Sequence, residues 1–307
     1  MPLTLRPHPE AAISRRAALG GLAGLGLAAT FGRLSRAADS PAPWFALLSD
    51  VHIAADPKAR NLGQTMADNL RAVVADILAQ PSLPQGVLID GDLALKNGQP
   101  GDYATLLDLL EPLRRAGAPI HLALGNHDDR AHFRAALDVQ PPAEPTVVDR
   151  HLSVGEGPGI RLILLDSLDQ VDVTPGLLGE RQLRWLARTL DSDPRTPALI
   201  FVHHNLAVVP GGLADTPAFL ALTLPRRQVK AIVYGHSHRW EHVREPIGQM
   251  HLVNLPAVAY PFKEDQPLGW VRCVPSAEAE GAELELRCIG GHRGRDGERL
   301  SLAWRST

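Results

Sequence analysis

The chain has 307 residues, 45% of them hydrophobic, a formal charge of −3 and two cysteines. That length and apolar content support one large core, or a core with a small appendage, and exclude wholesale disorder. Two cysteines far from the histidines exclude a metal–thiolate cluster.

At the N-terminus, Ser14-Arg15-Arg16-Ala17-Ala18-Leu19-Gly20 sets paired arginines before an apolar, Gly/Ala-rich stretch from Leu22 to Phe31. The stretch is too short to span a bilayer as a mature helix. Ser35-Arg36-Ala37 follows with small residues where a signal peptidase reads. The order resembles a twin-arginine export signal, which predicts recognition by that export machinery and cleavage after Ala37. Residues 1–37 are then the signal and 38–307 a single domain in the periplasm or outside the cell, with no transmembrane segment. An uncleaved membrane anchor is the alternative. Cleavage removes five arginines and one glutamate, moving the charge from −3 to −7. An acidic protein has no bulk attraction for a nucleic-acid polymer, so a phosphate ligand must be held by local positive charge.

Beyond residue 37, short apolar runs predict strands over 45–49, 87–90, 120–124, 161–165, 199–202 and 232–234. Between the first two, Met66, Leu70, Val73, Val74 and Ile77 share one helical face. Tyr103, Leu106, Leu107, Leu110 and Leu113 do so in the next interval, and Leu183, Leu186 and Leu190 mark a third helix. After His242 the segments shorten and alternate, as in Leu284, Leu286 and Cys288 against Glu283, Glu285 and Arg287, which predicts antiparallel strands. Cys273 and Cys288 both fall there and could pair in an oxidising compartment or remain two buried thiols. The pattern is a layered α/β fold, β-sheets sandwiched between helices, closed by antiparallel C-terminal strands.

Five of the six early runs end in residue types that bind metals: Asp50-Val51-His52, Gly91-Asp92, Gly125-Asn126-His127-Asp128, His203-His204 and Gly235-His236-Ser237-His238. Strand ends on one edge of a layered sheet converge, so these clusters predict one site. Asp50 and His52 stand at i and i+2, so both can leave a strand toward one ion. The glycines before Asp92, Asn126 and His236 let the backbone turn tightly and approach the ions. His203 and His204, as strand neighbours, face opposite sides, so one of them is the ligand.

This set resembles the calcineurin-like metallophosphoesterases over roughly residues 44 to 260. With Leu164-Leu165-Asp166-Ser167 and the Gln182-Leu183-x-Trp185-Leu186 helix before the paired histidines, it is similar to the subgroup of class III cyclic-nucleotide phosphodiesterases and glycerophosphodiesterases. Asn205 departs from the proline common there. The resemblance implies two metal ions, one held by Asp50, His52 and His238, the other by Asn126, His203 and His236. Asp92 bridges them, as a carboxylate with two oxygens can. His127 contacts the phosphate or protonates the leaving oxygen with Asp128 orienting its ring; support from behind the ligands is its alternative role. A carboxylate, amide and imidazole set accepts Fe, Mn, Zn or Co as divalent or mixed-valence ions.

The implied reaction is in-line attack on a small phosphodiester by a hydroxide held between the metals. Phosphomonoester hydrolysis at the same site is the alternative. A non-catalytic scaffold would have lost ligands, and every motif position is filled here. A metal-free nucleotide-binding protein would need a Gly-rich phosphate loop after the first strand, which this chain lacks. Lys96, Asn97, Arg130, His204 and Arg239 lie near the motifs and could touch substrate, but each reads as an ordinary surface group.

Overall fold

A computed structural model describes residues 4–5, 42–137, 147, 149–206, 211–276, 278 and 280–306. The arginine pair and the expected cleavage site lie outside these residues. Along the chain run β1 (Thr4–Leu5), β2 (Phe45–Leu48), the short pair β3 (Arg60–Asn61) and β4 (Gln64–Thr65), α1 (Met66–Leu78), β5 (Gly86–Asp90), α2 (Pro100–Ala116), β6 (Ile120–Ala123) and α3 (Arg130–Ala136). There follow β7 (Ser153–Gly157), β8 (Ile160–Leu164), α4 (Glu180–Asp191), β9 (Ala198–Phe201), α5 (Thr216–Thr223) and β10 (Val229–Tyr234). The last strands are β11 (Glu241–Arg244), β12 (His251–Asn254), β13 (Pro267–Pro275), β14 (Gly281–Gly291) and β15 (Arg299–Ala303). Among the described residues no helix is long and apolar enough to cross a membrane.

Two sheets carry the fold. One has the order β1-β6-β5-β2-β13-β14-β15 and the other β11-β12-β10-β9-β8-β7. Strands β2, β5 and β6 are parallel, as are β8, β9, β10 and β12; β13, β14 and β15 join antiparallel, as the alternating C-terminal sequence predicts.

Period-two alternation then separates three apolar layers. In β2, Phe45 and Leu47 point between the sheets while Ala46 and Leu48 meet the helices. In β9, Leu199 and Phe201 fill the inter-sheet core while Ala198 and Ile200 meet Leu186 and Leu190 of α4. Strands buried on both faces must be apolar throughout, which is why they read as short continuous runs. The layer order is helices, sheet, sheet, helices.

Sequence periodicity located three of the helices, with one shift. In α2 the buried stripe is Tyr103, Leu106, Leu109, Leu110 and Leu113, and Leu107 is only half-buried. The helix starts where Gln99 and Asp102 form a capping box around Pro100, and ends at Gly117 with φ 91°. Helices α3 and α5 are short and carry weak apolar periodicity; both escape a reading based on apolar period.

Cys273 and Cys288 are free and buried. Cys288 lies opposite Gly269, while Cys273 lies opposite Leu284. Four residues of strand separate the two registers, about 13 Å at the usual rise, well beyond the reach of a disulfide.

Candidate metal centre

All the strands that deliver motif residues end on the same edge. Asp50 and His52 follow β2, Asp92 follows β5, Asn126 and His127 follow β6, His203 follows β9, and His236 and His238 follow β10. The loops are stitched together by their own amides. Asp50 N donates to Gly91 O at 3.3 Å, His52 N to Asp92 O at 2.9 Å, and Gly235 N to His203 O at 3.1 Å. His236 N donates to Asp50 Oδ2 at 3.0 Å, joining the two sheets across the site.

Five of the motif residues have left-handed backbone: Asp50 (φ 53°), His52 (44°), Asp92 (47°), His236 (67°) and His238 (54°). Each such residue costs of order 1–3 kcal/mol, so the surrounding fold over-determines them. The glycines serve closeness. A Cβ on Gly125 would stand 2.2 Å from Asp92 Oδ1, and one on Gly235 would stand 1.9 Å from Ser49 Oγ and 2.6 Å from Asp50 Oδ2.

Asp50, His52, Asp92, Asn126, His203 and His238 are buried, and His127 and His236 are half-buried. Three imidazoles are aimed from behind: Nδ1 faces Leu95 O at 3.4 Å in His52, Asp90 O at 2.8 Å in His203 and Tyr260 O at 2.6 Å in His238. A proton held on Nδ1 by a carbonyl leaves the Nε2 lone pair for the site. Those Nε2 atoms converge on the carboxylates. His238 lies 3.3 Å from Asp50 Oδ1, His203 3.2 Å from Asp92 Oδ2, and His52 3.8 Å from Asp50 Oδ1 and 3.6 Å from Asp92 Oδ2.

Three groups of donors lie mutually within 4.8 Å: Asp50, His52 and His238; Asp92, His203 and His236; and His52, Asp92 and His127. Asp92 and His52 each belong to two of them, and of the two only Asp92 has two donor oxygens. Asn126 Oδ1, Asp50 Oδ1 and His203 Nε2 are buried without a hydrogen-bond partner, a costly condition unless an ion uses them. The Nε2 atoms of His52 and His238 face each other at 3.2 Å, which two lone pairs tolerate when they share a cation. Donors bound to one ion at about 2.1 Å stand at separations of this order. The residues present therefore fit metal binding.

The electrostatics agree. Burial works against charge on His203, but the carboxylates of Asp92, Asp50 and Asp90 outweigh it and push the imidazole up to about 10. The field that would hold a proton there favours any cation. Burial likewise opposes ionisation of Asp50 and Asp92, yet the surrounding histidines, His238 first for Asp50 and His203 first for Asp92, hold both carboxyls well below the usual range. Burial takes His52 and His236 down to about 4, leaving them neutral with lone pairs available.

His127 comes within 4.8 Å of donors on His52 and Asp92. Its Nδ1 meets Lys96 O at 2.7 Å and Asp172 Oδ1 at 3.1 Å. Two acceptors on Nδ1 leave Nε2 as the atom that can give or take a proton. Asp128 does not orient this ring. Its carboxylate accepts from Leu93 N, Ala94 N, Gly125 N and the Tyr103 hydroxyl, tying the loops after β5 and β6 together. Burial and then Asp92 push it up to about 7 against the pull of those amides. Asp172 takes the place expected of Asp128, and its own amide donates to Asn126 O at 2.7 Å. No sequence pattern marks it, since it sits in the loop after β8 with no motif around it.

Other candidates resolve simply. Past β9 the backbone bends, so His203 and His204 do not face opposite sides of a strand; their rings stand edge to face at 5.4 Å. His203 turns to Asp92, and His204 is buried with Nδ1 2.8 Å from Ser167 Oγ, away from solvent. Arg130 is spent on Asp166, which it grips at 2.7 and 2.9 Å. Lys96 and Arg239 keep exposed side chains, and Asn97 is exposed too.

The family described as calcineurin-like phosphoesterase matches residues 43–240. The chain belongs to that family. It is 32% identical over 274 residues to a cAMP/cGMP dual specificity phosphodiesterase of Mycobacterium tuberculosis, covering 85% of this chain and 76% of that one. It is 30% identical over 236 residues to a probable cyclic nucleotide phosphodiesterase of Synechococcus, covering 73% and 84%. A solved dimetal phosphatase from Danio rerio shares the fold with a TM-score of 0.66 at 18% identity, over 87% of this chain and 100% of that one. This calcineurin-like phosphoesterase is a metal-dependent phosphoester hydrolase.

Proposed function

We propose that the enzyme hydrolyses a small phosphodiester, a cyclic nucleotide in the first instance, at a centre of two ions. Asp50, His52 and His238 would hold one ion, Asn126, His203 and His236 the other, and Asp92 both. Asp92 supports this by lying with His203 and His236 in one donor group and beside His52 in another, so that it adjoins residues assigned to both ions, and as a carboxylate it has an oxygen for each. Bound there, the ions would supply Lewis-acid charge to the phosphate oxygens and lower the pKa of a water for attack on phosphorus.

The protein's own groups do the rest. Leu95 O, Asp90 O and Tyr260 O hold three imidazoles in the tautomer that offers Nε2. His127 Nε2 gives a proton to the leaving oxygen while Asp172 and Lys96 O fix the ring through Nδ1.

The observation that carries the choice of diester is the fate of Arg130. A monoester dianion gains most from an arginine fork at the phosphate, and Arg130 is locked into its pair with Asp166 instead. A diester carries one negative charge and needs less. The cyclic-nucleotide relatives point the same way. Rates on bis(4-nitrophenyl) phosphate and 4-nitrophenyl phosphate, which share a leaving group, test it, with the diester expected to turn over at least as fast. Strong monoesterase activity with negligible diesterase activity would overturn the choice and leave the metal centre standing.

We also propose that residues 1–37 are a twin-arginine signal and that the enzyme works in the periplasm or outside the cell. Folded export lets the cytoplasm choose the ions, because metal capture is coupled to folding. Cleavage would remove β1 from the edge beside β6. Replacing Arg15 and Arg16 with lysine is expected to strand active enzyme in the cytoplasm, and normal export of that variant would refute the signal.

A further inference from the structure

Phe262 is an aromatic residue left 55% exposed, and its ring stacks on His238 with centroids 4.0 Å apart and planes 17° from parallel. Its position is prepared. Gln266, itself buried, accepts from Phe262 N at 2.6 Å and Lys263 N at 3.0 Å through Oε1, and its Nε2 donates to Ser237 O in the His236–His238 loop. Tyr260, which holds His238 Nδ1 through its carbonyl, stands edge to face with Phe262 at 5.9 Å and stacks on His52 at 4.9 Å. The Asn61 side chain lies beside the Tyr260 hydroxyl, so the β3–β4 hairpin borders the same rim. One face of the Phe262 ring is thus fixed against a metal-site histidine and the remainder is offered to solvent.

We infer that Phe262 is a specificity-determining residue, the stacking platform for a planar heteroaromatic substituent of the substrate, a nucleobase. Leaving a large apolar ring exposed gains nothing for folding, whereas a ring held by its backbone loses little freedom when a base stacks on it. Stacking tolerates any base because each has a π-face, so the platform would accept purines without reading their edges. The inference rests on the nucleotide part of the proposed function and not on the preference for diesters.

The test is calorimetric binding of 5′-AMP and ribose 5-phosphate to manganese-loaded full-length protein. Both are monoesters, so the outcome is independent of diesterase activity. Wild type is expected to bind AMP about tenfold more tightly. Phe262→Leu, which keeps an apolar cover on His238 but no ring, is expected to bring the ratio to about twofold or less. Ribose 5-phosphate affinity and manganese content should stay unchanged in that variant, and Phe262→Trp should retain the preference. A wild-type ratio near one, a ratio unaffected in Phe262→Leu, or loss of manganese from Phe262→Leu would each overturn the inference, the last by showing that the ring only shields His238.

Discussion

The strand interiors and the loops at their carboxyl ends obey opposite rules. In β2, β5, β9 and β10 every residue is buried, and all are apolar except Asp90 at the end of β5 and Lys230 in β10. Two to four residues further on, the chain carries carboxylates and imidazoles on left-handed backbone, most of them buried, with polar atoms that no protein group satisfies among the described residues. The first region supplies the stability and reaches the site mainly through Asp90 at the end of β5, whose carbonyl aims His203; the second is strained and desolvated, and persists because the first holds it.

If that division is right, changes in the loops should destroy chemistry while leaving the fold, and changes in the strands should do the reverse. Asp92→Ala is expected to have the largest effect: loss of activity and of stable binding of both ions, with the circular dichroism of the folded protein retained. Metal analysis beside a diesterase assay checks it, and a variant keeping two ions and near-normal rates would break the comparison at its centre.

His127 and Asp172 come next and sharpen it. His127→Ala should keep its metals and lose about 10²–10⁴-fold in kcat, the usual contribution of a general acid. Asp172→Asn should lose about tenfold, since Lys96 O still holds the ring, and the His127→Ala, Asp172→Asn double variant should be no slower than His127→Ala alone. Additive losses would mean that Asp172 acts on something other than His127.

The smallest effect on rate belongs to the strand region. Phe201→Ala, in the inter-sheet core one residue before the His203 loop begins, should destabilise by about 3–5 kcal/mol in denaturant melts. At a temperature where it remains folded, its kcat and metal content per molecule should be close to those of wild type. A collapse of kcat at full folding would show that the strands tune the site and do not merely carry it.

The six early strands, three of the helices and the antiparallel C-terminal strands are legible in the chain because apolar periodicity is a local property that burial on known faces imposes. The motif residues are legible for a related reason: Asp50 and His203 follow a predicted strand directly, and Asp92, Asn126 and His236 follow one across a single glycine, so the sequence marks both the strand and its end. Asp172, Phe262 and Gln266 carry no such mark. Their parts depend on loops folding back over the site from the ends of other elements, and a loop's path is set by long-range hydrogen bonds such as Asp172 N to Asn126 O and Gln266 Nε2 to Ser237 O.

By itself the sequence determined the layered α/β fold and which residue types gather at its carboxyl edge, because period-two burial and strand-end convergence follow from local chemistry. Only the tertiary structure decided that Asp128 braces the loops while Asp172 holds His127. It also decided that His204 turns inward to Ser167, that Cys273 and Cys288 stand four registers apart, and that Phe262 lies open against His238. Each of those outcomes depends on which backbone groups and rings happen to meet across the fold, and pairing at a distance is information that no local pattern contains.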